Sequence, residues 1–331
     1  MNSAIIITVY KRYKYINEAL NSVLSQTIKP DQIIVVADNP RLLSNFTNLT
    51  IIEADYPQIG RKIYEAIKAL RDDIDVVYFL EDDDMFHKNK IEYINKIFEN
   101  RGDIVAIHNS RKLIDTNGND LNYELDRIPY ELEISKENII QTIRRNHFIL
   151  GYNSSLSLRK TVLEKIRDYY AQIDLSADVA TIYFSLNFGK LLHIPQKLTY
   201  YRVGSGISTI DYTKGFDTFM EGKRKLVCTF NRTVNDLPKI NSMLPDCENC
   251  KKLLKRDLLY LYLYLRAEND FVNCDYKTKI PSLFQIFVLA LEYYSKNILS
   301  AKDFYNVTKG ILGQLLLGKK KISEMRSKKG I

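Results

Sequence analysis

Apolar runs and helical repeats alternate through the N-terminal part of the chain. The runs are short, continuous and rich in β-branched residues, as in strands that are buried on both faces. The predicted strands are residues 5–10, 32–37, 49–53 and 76–80. Between them, apolar positions recur at helical spacing over residues 14–27 and 59–70. The order β-α-β-β-α-β with short connections predicts an α/β domain with a largely parallel sheet flanked by helices.

The pattern changes near residue 213. Before that point we predict further helices at residues 89–99, 135–146 and 160–170, and further strands at residues 104–108, 151–158 and 198–202. Beyond it no strand pattern is convincing. Residues 253–265 and 282–294 predict helices that are apolar nearly all round, and such helices are buried in a bundle or against lipid. We therefore predict two domains, residues 1–212 and an all-helical C-terminal module of residues 213–331.

The positive charge of the chain belongs to its C-terminal third. Residues 1–210 hold 26 Lys and Arg against 27 Asp and Glu, whereas residues 211–331 hold 22 against 13. This asymmetry favours an anionic partner for the C-terminal module. The basic tail from Lys319 to Lys329 favours a disordered solubilising tail or a peripheral contact with anionic membrane lipid. Nucleic acid is disfavoured because no stacking platform is recognisable.

The N-terminus lacks a basic segment followed by a long apolar one, and no apolar run reaches the length of a membrane-spanning helix. We therefore expect a cytoplasmic protein, with peripheral contact at the inner face of the membrane as the alternative. The four cysteines are Cys228, Cys247, Cys250 and Cys274. The single C-x-x-C lacks a second metal-binding pair, so we favour structural or incidental cysteines over a disulfide or a Cys₄ metal site.

The strongest chemical signal is the acidic run Glu81-Asp82-Asp83-Asp84, which directly follows the predicted strand 76–80. In open α/β sheets, ligands bind just beyond the carboxyl ends of such strands. Clustered carboxylates repel one another and suit hard cations such as Mg²⁺ or Mn²⁺, which bridge carboxylates to substrate phosphates. A solvated acidic loop is the alternative, and the buried strand before it argues against that alternative.

The ends of the first two strands predict a nucleotide pocket. Thr8, Tyr10 and Asp38 offer a hydroxyl, an aromatic face and a carboxylate, which together can hold a base and a ribose. Glycine-rich signatures for dinucleotides or for a P-loop are missing from the sequence. A nucleotide diphosphate that is held through a metal ion fits what remains.

The segments 5–12, 19–27, 33–39 and 80–91 together resemble family 2 glycosyltransferases. The resemblance covers about residues 4–210 and implies the GT-A fold, a Rossmann-like sheet with flanking helices. It also implies transfer of a sugar from a nucleotide-diphospho donor, usually with inversion. Thr8, Tyr10 and Asp38 then correspond to the residues that contact the nucleoside.

By the same resemblance, Glu81-Asp82-Asp83 corresponds to the family's metal-binding D-x-D. Asp83 is the expected metal ligand, with Glu81 or Asp82 facing the ribose or a metal-bound water. Glu81 departs from the pattern, since aspartate is usual there, and a shift of one residue would give the metal to Asp82 or Asp84. Asp84 has an alternative role as a helix N-cap.

The family's general base is an acid that opens a helix late in the domain, and Asp178 is the matching residue. A carboxylate there takes the proton of the acceptor hydroxyl, although Asp178 could instead be an N-cap and Asp174 is the fallback. Arg61 and Arg202 correspond to segments that line the donor site and are expected at the diphosphate. Arg61 has a solvated helix start as its alternative.

The acidic run and the resemblance together predict a metal-dependent, inverting glycosyltransferase that uses Mn²⁺ or Mg²⁺ and a nucleotide-diphospho sugar. Its acceptor is a hydroxyl on a glycan, a lipid-linked molecule or a protein, in glycan or glycolipid synthesis. A sugar-phosphate nucleotidyltransferase and a catalytically inactive glycan- or nucleotide-binding module are the alternatives. The first of these usually has a glycine-rich loop after the first strand, and Val9 to Tyr13 contains no glycine.

Overall fold

A nine-stranded sheet organises the N-terminal part of the computed structural model, which describes residues 1–122, 128–146, 151–206 and 216–329. Its strands are β1 (Ser3–Thr8), β2 (Gln32–Ala37), β3 (Thr50–Glu53), β4 (Val76–Glu81), β5 (Met85–Phe86), β6 (Ile104–Ile114), β7 (Leu132–Ile134), β8 (Leu156–Arg159) and β9 (Lys190–Arg202). The helices are α1 (Ile16–Leu24), α2 (Ile59–Lys68), α3 (Lys90–Asn100), α4 (Ile139–Asn146), α5 (Lys160–Tyr170), α6 (Ala177–Ser185), α7 (Phe216–Met243), α8 (Glu248–Glu268), α9 (Leu283–Ser295) and α10 (Ala301–Lys329).

The predicted parallel sheet forms one half of the observed sheet. Strands β3, β2, β1 and β4 are neighbours in that order, and all three pairings are parallel. Thr8 lies between Val36 of β2 and Glu81 of β4, so the carboxyl ends of these strands meet at one edge. Ile5 and Ile7 pack against α1 and α3 in one buried cluster, which covers one face of the sheet.

The other half of the sheet is mixed. Strand β8 pairs antiparallel with both β4 and β6, β9 runs parallel to β6, and the short strands β5 and β7 lie antiparallel to β9. The strand predicted over residues 151–158 is shorter, because residues 153–155 form a 3₁₀ turn before β8. The α/β class with flanking helices is confirmed, with fewer parallel pairs than the sequence predicts.

The chain divides into two compact units. The first consists of residues 1–205 with 243–247, and the second of residues 206–242 with 248–331. The boundary predicted between residues 212 and 213 lies outside the described residues. The second unit contains helices and no strand among its described residues, as predicted. Among the described residues, no helix is long and apolar enough to cross a membrane.

The second unit is held by a disulfide and a buried ion pair. Cys228 and Cys274 form the disulfide, and no cysteine among the described residues is free, so our preference for structural or incidental cysteines over a disulfide was wrong. Lys223 and Glu268 are almost fully buried, with 3.0 Å between Nζ and Oε2. Breaking such a pair by removing one partner leaves an uncompensated buried charge.

Candidate active site at the carboxyl ends of the parallel strands

The acidic run forms a compact cluster at the end of β4. One carboxylate oxygen each from Glu81, Asp83 and Asp84 lies within 4.8 Å of the others. Asp82, Asp83 and Asp84 are buried, and Glu81 is half-buried. The solvated acidic loop is therefore excluded as an interpretation of this segment. Asp84 is not a helix cap either, because α3 begins at Lys90 with Asn89 as its N-cap.

Burial and repulsion between neighbouring charges favour the protonated forms of Glu81, Asp82 and Asp84. Burial, followed by the charge of Asp83, raises the pKa of Glu81 to about 7. Burial also raises the pKa values of Asp82 and Asp84 well above the usual range. The Oδ2 atoms of Asp82 and Asp84 are buried without a hydrogen-bond partner. Clustered carboxylates, with two oxygens of this run left without a partner, fit a divalent cation, because hard oxygen donors are what Mg²⁺ and Mn²⁺ prefer.

Arg12 lies against this cluster. Its guanidinium is 2.5 Å from Oδ1 of Asp82 and 3.2 Å from Oδ2 of Asp83, and it also donates to the carbonyl of Ser205 at 3.1 Å. Sequence reasoning included Arg12 in the resemblance but gave it no role. The signal that could have identified it is its position just beyond the end of β1, the neighbour of β4.

The main chain and neighbouring side chains fix the shape of the acidic loop. Arg202 is fully buried and donates its backbone N–H to Oδ1 of Asp84 and its Nε–H to the carbonyl of Asp83, both at 2.9 Å. Its remaining nitrogens bind Oε2 of Glu18 at 2.6 Å and the carbonyl of Asp115 at 3.2 Å. Arg202 therefore stabilises the acidic loop through hydrogen bonds to Asp83 and Asp84. Its predicted contact with a diphosphate stays a prediction.

Residues that sequence reasoning missed also support the cluster. Asn153 donates to Oε1 of Glu81 at 3.2 Å, and the Ser154 hydroxyl accepts the backbone N–H of Glu81 at 3.0 Å. Lys90 is fully buried and donates to the Ser154 carbonyl at 2.6 Å and to Thr199 at 3.0 Å. Burial lowers the pKa of Lys90 well below its usual value. No sequence motif marks these residues, because they come from three separate elements.

The predicted nucleoside pocket lies beside the cluster, at the ends of β1 and β2. Oδ1 of Asp38 accepts the backbone N–H of Lys11 and the hydroxyl of Tyr13, each at 2.9 Å. Burial acts to raise the pKa of Asp38, but these hydrogen bonds outweigh it and the pKa is lowered. Lys11 takes a positive φ of 55°, which turns the chain sharply after Tyr10. Thr8, the last residue of β1, adjoins Glu81 in the sheet.

Lys62, in the first turn of α2, lies beside the predicted nucleoside-binding residues. Lys62 is buried, its Nζ donates to the Val9 carbonyl, and it lies 4.6 Å from the centre of the Tyr10 ring. Burial lowers its pKa to about 8. Arg61 is exposed and stacks on Tyr56 at 4.5 Å, so its predicted diphosphate contact stays a prediction.

Gly60 makes this placement of α2 possible. A Cβ at Gly60 would lie 2.5 Å from the carbonyl oxygen of Ile173 and 2.6 Å from that of Tyr170. Both contacts are with backbone atoms, which cannot move aside as a flexible side chain would. The close packing of α2 on the loop after α5 therefore requires glycine here.

Asp178 is held at the start of α6. Its Oδ2 accepts the backbone N–H of Tyr152 and its Oδ1 that of Val179, each at 2.8 Å. Burial raises its pKa, and its charge in turn raises the pKa of Glu81. The N-cap of α6 is Ser176, so Asp178 lies in the first turn and the N-cap alternative was wrong.

Glycine at position 151 leaves room for the Asp178 carboxylate. A Cβ at Gly151 would lie 3.0 Å from Oδ2 of Asp178, tighter than an ordinary contact. Asp174, the fallback base, precedes the same helix, and its carbonyl accepts the backbone N–H of Ile59. The Asp178 carboxylate therefore has a fixed orientation, and its role as the base stays a prediction.

Comparison with known proteins agrees with this geometry. Residues 4–167 match the model of Glycosyl transferase family 2. A relative from Nostoc sp., named an uncharacterized glycosyltransferase, is 27% identical over 217 residues, which are 61% of this chain and 65% of that protein. Another so named, from Rickettsia conorii, is 34% identical over 134 residues, 36% of this chain and 21% of that protein. The chain thus spans less than two thirds of the length of these relatives.

Solved structures show the same fold. The crystal structure of S. aureus TarS 1–349 in complex with UDP has a TM-score of 0.51 at 16% identity, and the match covers 95% of this chain and 91% of that chain. The complex of the same protein with UDP-GlcNAc has a TM-score of 0.50 at 14% identity, with the same coverage. The fold is GT-A-like, and residues 4–167, about half of the chain, match a glycosyl transferase family 2 domain.

Proposed function

We propose that this protein is a metal-dependent glycosyltransferase, which moves a sugar from a nucleotide-diphospho-sugar donor to an acceptor hydroxyl with inversion. The observation that carries the proposal is the buried cluster of Glu81, Asp83 and Asp84 at the same sheet edge as Thr8 and Asp38. A diphosphate that is bound through a cation at the cluster would place its nucleoside at the ends of β1 and β2.

The residues divide into two groups by role. Thr8, Tyr10 and Asp38 hold the nucleoside, with Asp82 toward the ribose. Asp83 and Glu81 are the metal ligands, and the position of Asp84 within the cluster makes it a third candidate. Bound there, Mn²⁺ or Mg²⁺ would supply Lewis-acid stabilisation for the departing diphosphate. Arg12 lies against Asp82, and the charge of Lys62 also acts on Asp82, so both cations would face the same phosphates.

Asp178 acts as the general base. It accepts the proton of the acceptor hydroxyl while that oxygen attacks the anomeric carbon and the bond to the diphosphate breaks. A raised pKa brings this carboxylate closer to the range in which a base is effective near neutral pH. The two backbone N–H groups that bind it hold the carboxylate in one orientation.

Uridine donors are the first to test, since TarS, which shares the fold, has been crystallised with UDP and with UDP-GlcNAc. The acceptor would be a glycan, a lipid-linked molecule or a protein. A place in glycan or glycolipid synthesis follows from that acceptor class.

The test is a screen for nucleotide release from UDP- and GDP-sugars, with and without Mn²⁺, on the wild type and on Asp83→Ala. We expect release from at least one donor that needs both Mn²⁺ and Asp83. Asp72→Ala, which removes an exposed carboxylate elsewhere in the same unit, is the matched control and should behave as the wild type. If no donor shows turnover or metal-dependent binding, the proposed transferase activity is refuted. The catalytically inactive binding module is then the remaining hypothesis.

A further inference from the structure

Helix α10 exposes an apolar face that its own unit does not cover. Leu312, Leu315 and Leu316 are 50%, 64% and 81% exposed. Their spacing of three and four residues places them side by side on one face of the helix. The neighbouring face of α10 is buried, with Val307 and Ile311 packed against α8 and α9. Leucines this exposed on neighbouring turns are uncommon in a surface that faces only water.

Helix α9, which packs with α10 in the same cluster, has a second face of this kind. Phe284, Val288 and Leu291 follow at spacings of four and three residues, and Phe284 is 74% exposed. The buried face of α9 is formed by Ile286 and Ala290. Two adjacent helices of the second unit therefore each present an apolar face to the outside.

The charged residues that α10 itself carries next to this face are all positive. Gly318, with a φ of 75°, interrupts the helix immediately after the leucines, and lysines 319–321 follow. Residues 304–323 contain four lysines and no acidic residue. Lys319 binds Asp270 at 2.6 Å, whereas Lys320 and Lys321 are exposed. We call Leu312, Leu315 and Leu316 with lysines 319–321 the α10 surface.

We propose that the α10 surface docks on a lipid bilayer that contains anionic lipids. Exposed leucines beside lysines match the layered chemistry of such a bilayer, in which acyl chains lie beneath negative headgroups. A second copy of this chain would bring like charges together, and a nucleic acid would satisfy the lysines and leave the leucines in water. The inference does not depend on the proposed transferase activity.

Tryptophan fluorescence offers a direct test, because the chain contains no tryptophan. Leu316→Trp places a single probe on the α10 surface, and Leu42→Trp places one at an exposed leucine of the first unit. With vesicles of phosphatidylcholine and phosphatidylglycerol, the emission of Leu316→Trp should shift to the blue and that of Leu42→Trp should not. Vesicles of phosphatidylcholine alone should give a much smaller shift.

Sedimentation of the full chain with the same vesicles measures how much the lysines and the leucines of the α10 surface each contribute to vesicle binding. Lys320→Gln with Lys321→Gln should weaken binding about fivefold for each lysine at low salt. Leu315→Gln with Leu316→Gln should abolish it, and because both side chains are exposed, circular dichroism should show an unchanged fold. Leu42→Gln is the control.

Failure of the wild type to bind the vesicles, or vesicle binding that the leucine variant retains, would overturn the proposal. So would self-association that the leucine variant loses, since a second copy would then be the occupant.

Discussion

Replacing Arg12 with glutamine removes the cation that lies against Asp82 and Asp83. Loss of one partner from a fully buried pair costs about 3–5 kcal/mol, and from an exposed pair about 0–1 kcal/mol. The Arg12 side chain is 36% exposed, whereas those of the two aspartates are 2% and 8% exposed. We therefore expect a loss between these limits, about 2 kcal/mol, in metal-free protein. In a unit of this size that corresponds to a fall in Tm of about 4–8 °C.

Manganese should reverse this loss, because the ion would neutralise the same carboxylates. If Arg12 competes with the ion for Asp83, its removal also strengthens Mn²⁺ binding, by up to about thirtyfold for 2 kcal/mol. The assay is a pair of thermal melts with EDTA and with saturating Mn²⁺, together with a Mn²⁺ titration followed by calorimetry.

Arg61→Gln is the matched control, since Arg61 is exposed and stacks on Tyr56 away from these carboxylates. It should change neither Tm nor Mn²⁺ affinity appreciably. Equal losses of Tm for Arg12→Gln with EDTA and with Mn²⁺, and an unchanged Mn²⁺ affinity, would refute the reasoning that arginine and metal share these ligands.

Three further predictions concern the base and the acidic cluster. Asp178→Asn should lower sugar transfer about 10²–10⁴-fold while donor affinity by calorimetry stays unchanged, and a parallel loss of donor binding would contradict its role as base. Gly151→Ala should lower kcat without raising KM for the donor, because its Cβ would lie 3.0 Å from Oδ2 of Asp178; wild-type kinetics would count against this placement. Mn²⁺ affinity should fall as pH drops through about 7, where Glu81 in the metal-free protein takes up a proton, and rise to a plateau above it. A calorimetric pH series on the wild type and Glu81→Gln tests this, and an equal slope for both would exclude Glu81 as the titrating group.

The parallel half of the sheet and the acidic loop were predictable because their signals are local. Strands β1, β2 and β4 are buried on both faces, so their sequences are continuous apolar runs. The acidic run at residues 81–84 begins at the last residue of β4. Strand β9 was only partly predicted, because Pro195 in its middle argues against a strand. The register with β6 shifts between Asn109 and Ser110, where β9 passes from Ile194 to Lys197 across that proline.

The side chains that complete the site depend on contacts that a sequence pattern does not show. Arg12 meets Asp82 across a gap of 70 residues, through the adjacency of β1 and β4. Lys62 rather than Arg61 lies on the buried face of α2. Helical spacing could have indicated this, because Lys62 is four residues before the buried Ala66 and so lies on the same face. The pairing of Cys228 with Cys274 was equally inaccessible, because four cysteines allow three connectivities.

The central claim is that the cluster at the end of β4 holds a divalent metal together with the donor diphosphate. A crystal grown with Mn²⁺ and UDP, and a second with GDP, measured at the manganese absorption edge, tests it directly. We expect an anomalous peak among Glu81, Asp83 and Asp84 that contacts the diphosphate, with Arg12 displaced from Asp83. A bound nucleotide with no manganese at the cluster, and with Arg12 still on Asp82 and Asp83, would contradict it.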